Sequence, residues 1–288
     1  MKCGIVALIG RPNTGKSTLL NNLIGQKVSI TSPKPQTTRF PIQAVFEDDR
    51  GQIVFVDTPG IYAQSGNPLA KKLNGTIESE LSKNISLILY LIDHTRTRDL
   101  EENRVLGIVR KAKSPKILVV NKIDIKEPTH IIQYEFMKEE FSEVLEISAL
   151  MHKNLNILLT RIFSYLPESE LLVDTTKMAH PGINMDSKLF VSELIREKAY
   201  LFLRKEVPYT LTVVVDEIAE RPNGLIFVRA RVLTSDDRYK KMIIGNQGYM
   251  IKEIGMATRK EMETASHKKV FVELTVETDP HWMDRYGE

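Results

Sequence analysis

Residues Gly10–Thr18 read GRPNTGKST and come directly after an apolar run, Gly4–Ile9. They match the pattern G-x-x-x-x-G-K-[ST], in which a strand leads into a glycine-rich loop and then into a helix. The backbone N–H groups of such a loop wrap phosphates, and the N-terminus of the helix faces them. Lys16 is expected to reach the β- and γ-phosphates, and the Ser17 hydroxyl to hold Mg²⁺. The motif predicts a phosphate-binding α/β fold.

The chain around this loop alternates between strand-like and helix-like stretches. Further apolar runs typical of buried strands lie at Ile53–Val56, Leu87–Ile92, Ile117–Val120 and Val144–Ser148. The stretches between them are long enough for crossover helices, which predicts a mostly parallel sheet with helices on both faces. In such sheets the ligand lies beyond the carboxyl ends of the strands. The motifs described next fall at such ends.

The motif DTPG, at Asp57–Gly60, ends the first of these further runs. An aspartate here can hold the water shell of Mg²⁺, and the N–H of Gly60 can meet the γ-phosphate. A D-T-P-G sequence is by itself a common turn. At the end of the strand that follows a phosphate loop, it indicates the second half of a nucleotide site.

Between these two motifs, residues Ser32–Phe40 read SPKPQTTRF. The prolines and polar side chains predict a mobile loop. A threonine in such a loop can close on Mg²⁺ while the γ-phosphate is present and let go after hydrolysis. Thr38 is our first choice for this sensor, and Thr37 is the alternative. The predicted catalytic residues are Lys16, Thr38 and Gly60, and the predicted metal ligands are Ser17, Thr38 and Asp57.

The motif NKID, at Asn121–Asp124, predicts which base is bound. Guanine presents its N1–H and N2–H₂ groups side by side, and the Asp124 carboxylate can accept hydrogen bonds from both. Adenine offers no such pair and would leave the carboxylate unpaired. Asn121 is expected to meet the base edge, and the aliphatic stem of Lys122 to cover one face of the ring.

The motif SAL, at Ser148–Leu150, follows the last apolar run. It is expected to supply a backbone N–H, from Ala149, to the guanine carbonyl. Together these motifs predict a guanine-nucleotide switch rather than a general ATPase. The predicted nucleotide-binding residues are Gly10, Asn13, Thr14, Gly15, Lys16, Ser17, Thr18, Asp57, Gly60, Asn121, Lys122, Asp124, Ser148, Ala149 and Leu150.

In this order and spacing, GRPNTGKS, PQTTR, DTPG, NKID and SAL resemble the motifs of the translation-associated GTPases, and PKPQTTR with DTPGI is most similar to the Era family. The resemblance covers roughly the first 165 residues. It implies hydrolysis of GTP to GDP and phosphate with Mg²⁺. Ile61 stands where Ras-like proteins carry a water-positioning glutamine, so hydrolysis is expected to be slow without a stimulating partner. Asn13 matches a position that coordinates K⁺ in some relatives, and a loop-shaping role is the alternative.

The second half of the chain has a different order of elements. A helix is predicted from Asp186 or Ser187, two strands joined by RPNG follow it, and then come helices at Asp237–Ile244 and Met250–Ser266 and a strand at Lys269–Glu277. The order α-β-β-α-α-β, with G-x-x-G between the late helices, resembles the type II KH RNA-binding domain. The predicted fold is therefore a P-loop GTPase domain followed by an α+β type II KH domain.

The stretch GNQG, at Gly245–Gly248, lies between those late helices. In the KH fold this loop clamps a single-stranded nucleic-acid backbone, because glycines let phosphates approach the peptide N–H groups. From Arg238 to Lys260 there are six basic residues and one acidic residue, Glu253. The alternative is a tight corner with a solvated basic face. The predicted RNA-binding residues are Lys240, Lys241, Gly245, Asn246, Gln247, Gly248, Lys252 and Arg259.

Length and composition limit the number of domains and the class of protein. A chain of 288 residues with 42% hydrophobic residues suits two globular domains, and the single cysteine excludes an internal disulfide and favours the cytoplasm. No apolar run reaches membrane-spanning length. We expect a GTPase domain at 1–166, a linker at 167–186, a KH domain at 187–280 and a tail at 281–288. The chain is expected to be monomeric, with peripheral membrane association left open.

The sequence and its resemblance predict a GTP-hydrolysing, RNA-binding protein that acts in small ribosomal subunit assembly, with GTP or GDP, Mg²⁺ and optionally K⁺ as its cofactors. Its partners would be small-subunit ribosomal RNA, bound as a single-stranded segment, and the small ribosomal subunit. The alternative is an accessory GTPase of a tRNA-modifying enzyme, whose relatives have a reactive cysteine in a C-terminal motif. This chain has only Cys3. A membrane-remodelling GTPase would need an apolar anchor that the sequence lacks.

Overall fold

The computed structural model describes residues 1–29, 42–58, 84–175, 187–266 and 268–283. Contacts divide the chain into two compact units, Met1–Asn184 and Met185–Glu288. Within the described ranges, no helix is long and apolar enough to cross a membrane.

The first unit is built around a six-stranded sheet. Its strands are β1 Lys2–Ile9, β2 Ile42–Asp48, β3 Gly51–Asp57, β4 Leu87–Asp93, β5 Lys116–Asn121 and β6 Glu143–Glu146. Its described helices are α1 Lys16–Ile24, α2 Leu100–Lys111, a 3₁₀ helix Ile131–Glu140 and α3 Leu155–Tyr165. The strand order is β2-β3-β1-β4-β5-β6. All neighbours are parallel except β2, which runs antiparallel to β3, so the predicted mostly parallel sheet is confirmed.

The centre of this sheet is buried on both faces. Every residue of β3 and β4 is buried, as a parallel strand covered on each side requires. Cys3, on β1, is buried here as well. The polar motifs begin where the apolar strands end, because Asp57 is the last residue of β3 and Asn121 the last residue of β5. The parallel sheet thus brings these two side chains to the same edge.

Three details of the first unit differ from the predictions. Strand β2 was not predicted, because Ile42–Asp48 mixes polar and apolar residues instead of forming an apolar run. The last strand ends at Glu146 rather than Ser148, which leaves the SAL motif in a loop. The 3₁₀ helix Ile131–Glu140 was also not predicted.

The first part of the predicted linker is fixed to the first unit. The N–H of Cys3 donates to the carbonyl of Pro167 at 3.0 Å. Gln52, which is fully buried, accepts hydrogen bonds from the N–H groups of Leu172 and Val173 at 2.9 Å each. Residues 176–186 lie outside the described residues, so the predicted domain boundaries stay predictions.

The second unit contains a three-stranded sheet and three α-helices among its described residues. In chain order these are α4 Ser187–Phe202, a 3₁₀ helix Val207–Thr210, β7 Leu211–Glu220, β8 Ile226–Thr234, α5 Asp237–Ile244, a 3₁₀ turn Asn246–Gly248, α6 Tyr249–Ser266 and β9 Val270–Thr278. Strand β8 pairs antiparallel with β7 and parallel with β9. The predicted element order is confirmed.

The core of the second unit lies between the sheet and its helices. Ile243 of α5 and Ile254 of α6 are fully buried and pack with Val228 and Val232 of β8. The start of the predicted tail is also buried, because Trp282 is only 2% exposed. Its indole N–H donates to the carbonyl of Thr210 at 3.0 Å.

Candidate functional site

The phosphate loop connects β1 to α1 through two glycines that have no room for a side chain. At Gly10 an added Cβ would lie 2.4 Å from the carbonyl oxygen of Leu91. At Gly15, where φ is +96°, it would lie 2.3 Å from Nδ2 of Asn121. Such close backbone approach requires glycine. The loop is therefore shaped by β4 and β5 as well as by its own sequence.

Lys16 is the first residue of α1, and its ammonium group points back into the loop. Its Nζ donates to the carbonyl oxygens of Gly10 at 2.9 Å and Arg11 at 2.8 Å. Burial lowers the pKa of Lys16 to about 8, while the carboxylates of Asp57 and Glu102 oppose that shift. A nearby anion favours the charged form of such a group. The loop thus holds a buried cation that a phosphate would stabilise.

Asp57 joins the end of β3 to this loop. Its Oδ2 accepts hydrogen bonds from the hydroxyls of Ser17 and Ser29, each at 2.8 Å. Its Oδ1 is buried and has no hydrogen-bond partner among the described residues. Burial raises the pKa of Asp57, and the charge of Lys16 opposes the shift. Ser29 belongs to no recognised motif, and nothing in the sequence indicated it.

These oxygens fit a hard divalent cation. A buried carboxylate oxygen without a protein partner requires an explanation, and a metal ion or a water molecule supplies one. Mg²⁺ prefers oxygen ligands, usually one or two carboxylate or hydroxyl groups with the rest supplied by water and phosphate. Ser17 and Asp57 offer this set side by side. Thr38, the third predicted ligand, lies outside the described residues, as do Thr37, Gly60 and Ile61.

Asn121 connects the phosphate loop to the SAL loop. Its Nδ2 donates to the carbonyl of Thr14 at 2.8 Å, and its Oδ1 accepts from the N–H of Ala149 at 2.9 Å. Each end of the amide therefore has one protein partner, which leaves a second N–H and a second oxygen lone pair, and the expected contact with the base edge stays a prediction. The Ala149 carbonyl is held from the other side by Nδ2 of Asn22 at 2.5 Å. Asn22 is a second positioning side chain that no motif indicated.

Asp124, the predicted guanine acceptor, is held by the SAL loop. Its Oδ1 accepts from the Ser148 hydroxyl at 2.5 Å, and the Ser148 hydroxyl in turn accepts from the N–H of Met151 at 3.0 Å. A carboxylate has about four acceptor positions, so this contact leaves room for two further donors. The Ser148 bond fixes the orientation in which Asp124 would meet them.

Lys122, beside it, is held at its ammonium end. Its Nζ lies 2.6 Å from Oδ2 of Asp93, the last residue of β4. Burial alone would raise the pKa of Asp93, but hydrogen bonds from Lys122 and Thr95 bring the pKa below its usual value. The anchored ammonium leaves the aliphatic stem of Lys122 to line the site.

The remaining predicted nucleotide residues lie along the same loops. Asn13 is exposed and has a left-handed backbone with φ of 64°. The Thr14 hydroxyl donates to the carbonyl of Arg11 at 3.0 Å. Thr18 is half-buried on α1, and Leu150 is 67% exposed in the SAL loop.

In the second unit, GNQG forms a tight corner between α5 and α6. Gly245 has φ of +74°, and a Cβ there would lie 2.7 Å from the Cβ of Met250. Gly248 has φ of +77°, but no atom lies within 4 Å of the position its Cβ would take. Gln247 also has a positive φ, of 49°. The side chains of Asn246 and Gln247 are exposed at the corner.

A groove of about 240 Å³ runs along α6 and the edge strand β9. Two predicted basic residues, Lys252 and Arg259, line it together with apolar side chains. Met256 is 41% exposed and Phe271 is 52% exposed. The sequence motifs do not indicate these two residues, because basic charge and glycine spacing carry no signal for exposed apolar surface. Lys240 and Lys241, on α5, lie half-buried and exposed respectively.

Comparisons with known proteins match both units. The family model described as "50S ribosome-binding GTPase" matches residues 5–122, and the model described as "KH domain" matches residues 206–283. GTPase Era of Halothermothrix orenii is 37% identical over 99% of this chain and 96% of its own length. GTPase Era of Trichlorobacter lovleyi is 38% identical over 99% of this chain and 95% of its own length.

Two solved structures resemble the whole chain. One is a variant of Aquifex aeolicus Era bound to GDP and AlF₄⁻, with a TM-score of 0.90, 35% identity and coverage of 99% of this chain and 97% of that one. The other is Era in complex with MgGDPNP and nucleotides 1506–1542 of 16S ribosomal RNA, with a TM-score of 0.91, 35% identity and coverage of 99% and 96%.

Proposed function

The chain belongs to the Era family of GTPases, and from this membership we propose that it binds and hydrolyses GTP and binds small-subunit ribosomal RNA in the assembly of the small ribosomal subunit. One observation supports GTP binding and hydrolysis, the nucleotide half of this proposal. Lys16, Ser17 and Asp57 converge at the end of the central strands, with a buried cation and a buried unpaired carboxylate oxygen. The groove along α6 and β9, which contains the basic residues Lys252 and Arg259, supports the RNA half.

The first unit supplies positioned groups for the reaction. Lys16, held against the carbonyls of Gly10 and Arg11, would direct its remaining N–H to phosphate oxygens, and Ser17 and Asp57 would hold the metal ion. Mg²⁺, when bound, neutralises charge on the β- and γ-phosphates. Because little covalent chemistry is needed from the protein in phosphoryl transfer, this positioning is the main contribution of the chain. Thr38 and Gly60 remain the proposed γ-phosphate contacts.

Guanine recognition follows from the loops at the ends of β5 and β6. Asp124, oriented by Ser148, accepts from the two adjacent donors of guanine. The Ala149 carbonyl is held by Asn22, and its N–H, which donates to Asn121 in this structure, would leave that oxygen to reach the guanine carbonyl. A site that leaves its carboxylate unpaired with adenine discriminates by about 10⁴-fold or more.

The second unit supplies an open RNA site. The glycines of GNQG let a phosphate backbone approach the peptide N–H groups, and Lys252 and Arg259 add positive charge. Met256 and Phe271 offer apolar surface on which unstacked bases can lie. The rival function, an accessory GTPase of a tRNA-modifying enzyme, has no support, because the relatives described above, which match nearly the full chain, are Era proteins.

Several finer points remain part of the proposal. Hydrolysis is slow in the absence of a stimulating partner, since Ile61 stands where a water-positioning glutamine would be needed. Asn13 is a candidate K⁺ ligand. We propose a cytoplasmic monomer, and peripheral membrane association stays an open expectation.

A pair of titrations tests the proposal. We expect the protein to bind GTP with Mg²⁺ and not ATP. We also expect it to bind an RNA of nucleotides 1506–1542 of 16S ribosomal RNA at least about tenfold more tightly than a scrambled RNA of equal length. The RNA measurement is made with GDP and with a non-hydrolysable GTP analogue. Equal affinity for the two RNAs in both nucleotide states would refute the RNA half, and equal affinity for ATP and GTP the nucleotide half.

A further inference from the structure

Arg11 occupies a variable position of the phosphate loop, yet its side chain is fully buried. The pattern G-x-x-x-x-G-K-[ST] requires no particular residue there. Burying a guanidinium group destabilises a protein unless charged and polar partners compensate. The buried guanidinium of Arg11 therefore suggests a structural role in holding the phosphate loop.

The partners of Arg11 come from the start of helix α2 and from neighbouring segments. Its Nη1 lies 2.8 Å from Oδ2 of Asp99, and its Nε lies 2.6 Å from Oε2 of Glu102, which is also fully buried. Nη1 also donates to the carbonyl of Thr97, and Nη2 to the hydroxyl of Tyr134, both at 3.2 Å. Five donors on a rigid planar group suit such a multiple contact, which a lysine could not reproduce.

The two carboxylates are themselves fixed. Asp99 is the N-cap residue of α2 and accepts from the N–H of Glu102 at 3.0 Å, which ties its position to the helix. The Tyr90 hydroxyl, on β4, donates to Glu102. The guanidinium of Arg11 is therefore held by the start of α2, and Glu102 of that turn is fixed in turn by Tyr90 of β4.

The backbone of Arg11 faces the other way, into the loop. Its carbonyl oxygen accepts from Nζ of Lys16 at 2.8 Å and from the hydroxyl of Thr14 at 3.0 Å. One residue thus joins these contacts to the ammonium group that is expected to meet phosphate. A shift of the Arg11 side chain would move the carbonyl on which Lys16 rests.

We propose that Arg11 is a positioning residue for the reaction: its side chain, held by Asp99 and Glu102, fixes the phosphate loop in the shape that presents Lys16 to the nucleotide. This inference rests on the proposed GTP binding, since Lys16 has no phosphate to meet otherwise. It also makes the first turn of α2 part of the support of the nucleotide site.

The test separates positioning from folding. The variant Arg11→Met with Glu102→Gln removes both buried charges and keeps an acceptor for Tyr90. Replacing both members of a buried pair costs much less stability than removing one. We expect the thermal unfolding midpoint without nucleotide to stay within a few degrees of wild type, while affinity for GDP and GTP falls by about tenfold to a hundredfold because the loop is misplaced.

Two further variants sharpen the result. Arg11→Lys keeps the positive charge but loses the planar guanidinium group and its several N–H donors. Its GTP affinity should therefore fall between those of wild type and the double variant. Arg110→Met with Glu140→Gln removes another arginine–glutamate pair that involves α2, in which Nη2 and Oε1 lie 2.5 Å apart. This control should bind GTP like wild type.

Each outcome decides one question. If the wild-type protein does not bind GTP, the proposed function fails and the inference falls with it. If the wild type binds GTP and the Arg11 and Glu102 double variant binds equally well, the inference alone is overturned. The inference is likewise overturned if the control pair weakens GTP binding as much as the Arg11 pair does.

Discussion

The two glycine loops of this chain, which we propose bind the phosphates of a nucleotide and of RNA, differ in how their surroundings hold them. The loop at Gly10–Thr18 is largely enclosed: Asn121 of β5 and Glu102 of α2 contact it, and its own Arg11 and Lys16 are buried. The loop at Gly245–Gly248 is open, and Asn246 and Gln247 are exposed. Its backbone is held by local hydrogen bonds, from the N–H of Gly245 to the carbonyl of Lys241 and from the N–H of Gly248 to the carbonyl of Gly245.

The difference follows from the ligands the two loops are built for. A nucleotide is small and must be held with its γ-phosphate in one geometry for reaction. Contacts from distant parts of the chain accordingly fix the shape of the enclosed loop. A single-stranded RNA continues past the protein at both ends, so its loop must stay open and gains affinity from charge and stacking. We therefore expect changes in the first loop to be severe, and changes in the second to affect RNA alone.

The largest expected effect concerns the base. Asp124→Asn turns an acceptor-only carboxylate into an amide whose NH₂ faces the guanine donors, while xanthine carries a carbonyl in place of the guanine NH₂. GTP affinity should fall by about a thousandfold or more, and affinity for xanthosine triphosphate should rise. Parallel titrations with both nucleotides measure the switch. Unchanged GTP affinity with no gain for the xanthine nucleotide would remove Asp124 from the base site.

The second prediction uses glycines from both loops. Gly15→Ala places a Cβ 2.3 Å from Nδ2 of Asn121 at a φ of +96°, so the loop or Asn121 must move. GTP affinity should fall by about a hundredfold. Titration of GTP, with RNA affinity measured on the same preparation, gives the result.

Gly248→Ala is the matched control from the open loop. It meets the same backbone strain, with φ of +77°, but no atom lies within 4 Å of the new Cβ. It should lower RNA affinity only a few-fold, because the cost of about 1–2 kcal/mol for a left-handed residue with a side chain is present with and without RNA. It should leave GTP affinity alone. If Gly15→Ala lowers GTP affinity by only a few-fold, the contact with Asn121 does not fix the shape of the phosphate loop.

The third prediction addresses the open loop directly. Replacing Asn246 and Gln247 with aspartates keeps both glycines, so the corner should still form. The two carboxylates would repel phosphates, and RNA affinity should fall by more than about tenfold at low salt, less at high salt. GTP affinity and basal turnover should stay near wild type. RNA binding that survives the double aspartate would mean that GNQG is only a corner.

The smallest effect is the uptake of a proton. The buried Lys16 has a pKa of about 8, below its usual value, and a bound phosphate favours the charged form. At pH 8 the free site should therefore be about half protonated, so GTP binding should take up roughly half a proton. Because the folded pKa is lowered, the cost of burying the ammonium is full below pH 8 and disappears as the pH approaches 10.5.

Calorimetry in two buffers of different ionisation enthalpy measures this proton. The binding enthalpy should differ between the buffers at about pH 8 and much less at about pH 6.5, where Lys16 is already charged. Equal enthalpies at the higher pH would show that Lys16 does not titrate on binding.

Much of this arrangement could be predicted from the sequence, because strand ends and glycine spacing are local features. The apolar runs marked β3 and β5, and Asp57 and Asn121 stand at their last residues. Strand β2 could not be found in the same way, since an edge strand paired on one side need not be a continuous apolar run.

Long-range partners could not be predicted. The sequence predicts that Asn121 lies at the site but not that its amide joins two loops, because its orientation depends on Thr14 and Ala149. Ser29 and Asn22 are ordinary polar residues whose roles arise only when the fold brings Asp57 and the SAL loop to them. Hydrogen-bond partners of this kind are set by tertiary structure, and local spacing carries no signal for them.

The buried thiol of Cys3 has a practical consequence for chemical labelling. It is the single cysteine of the chain and lies 1% exposed on β1, and a reagent that modifies thiols needs access to the sulfur. A cysteine introduced at an exposed position such as Asn246 would then be the one thiol that reacts with a maleimide dye. A fluorophore attached there would report the arrival of RNA in real time, without any native residue having to be removed first.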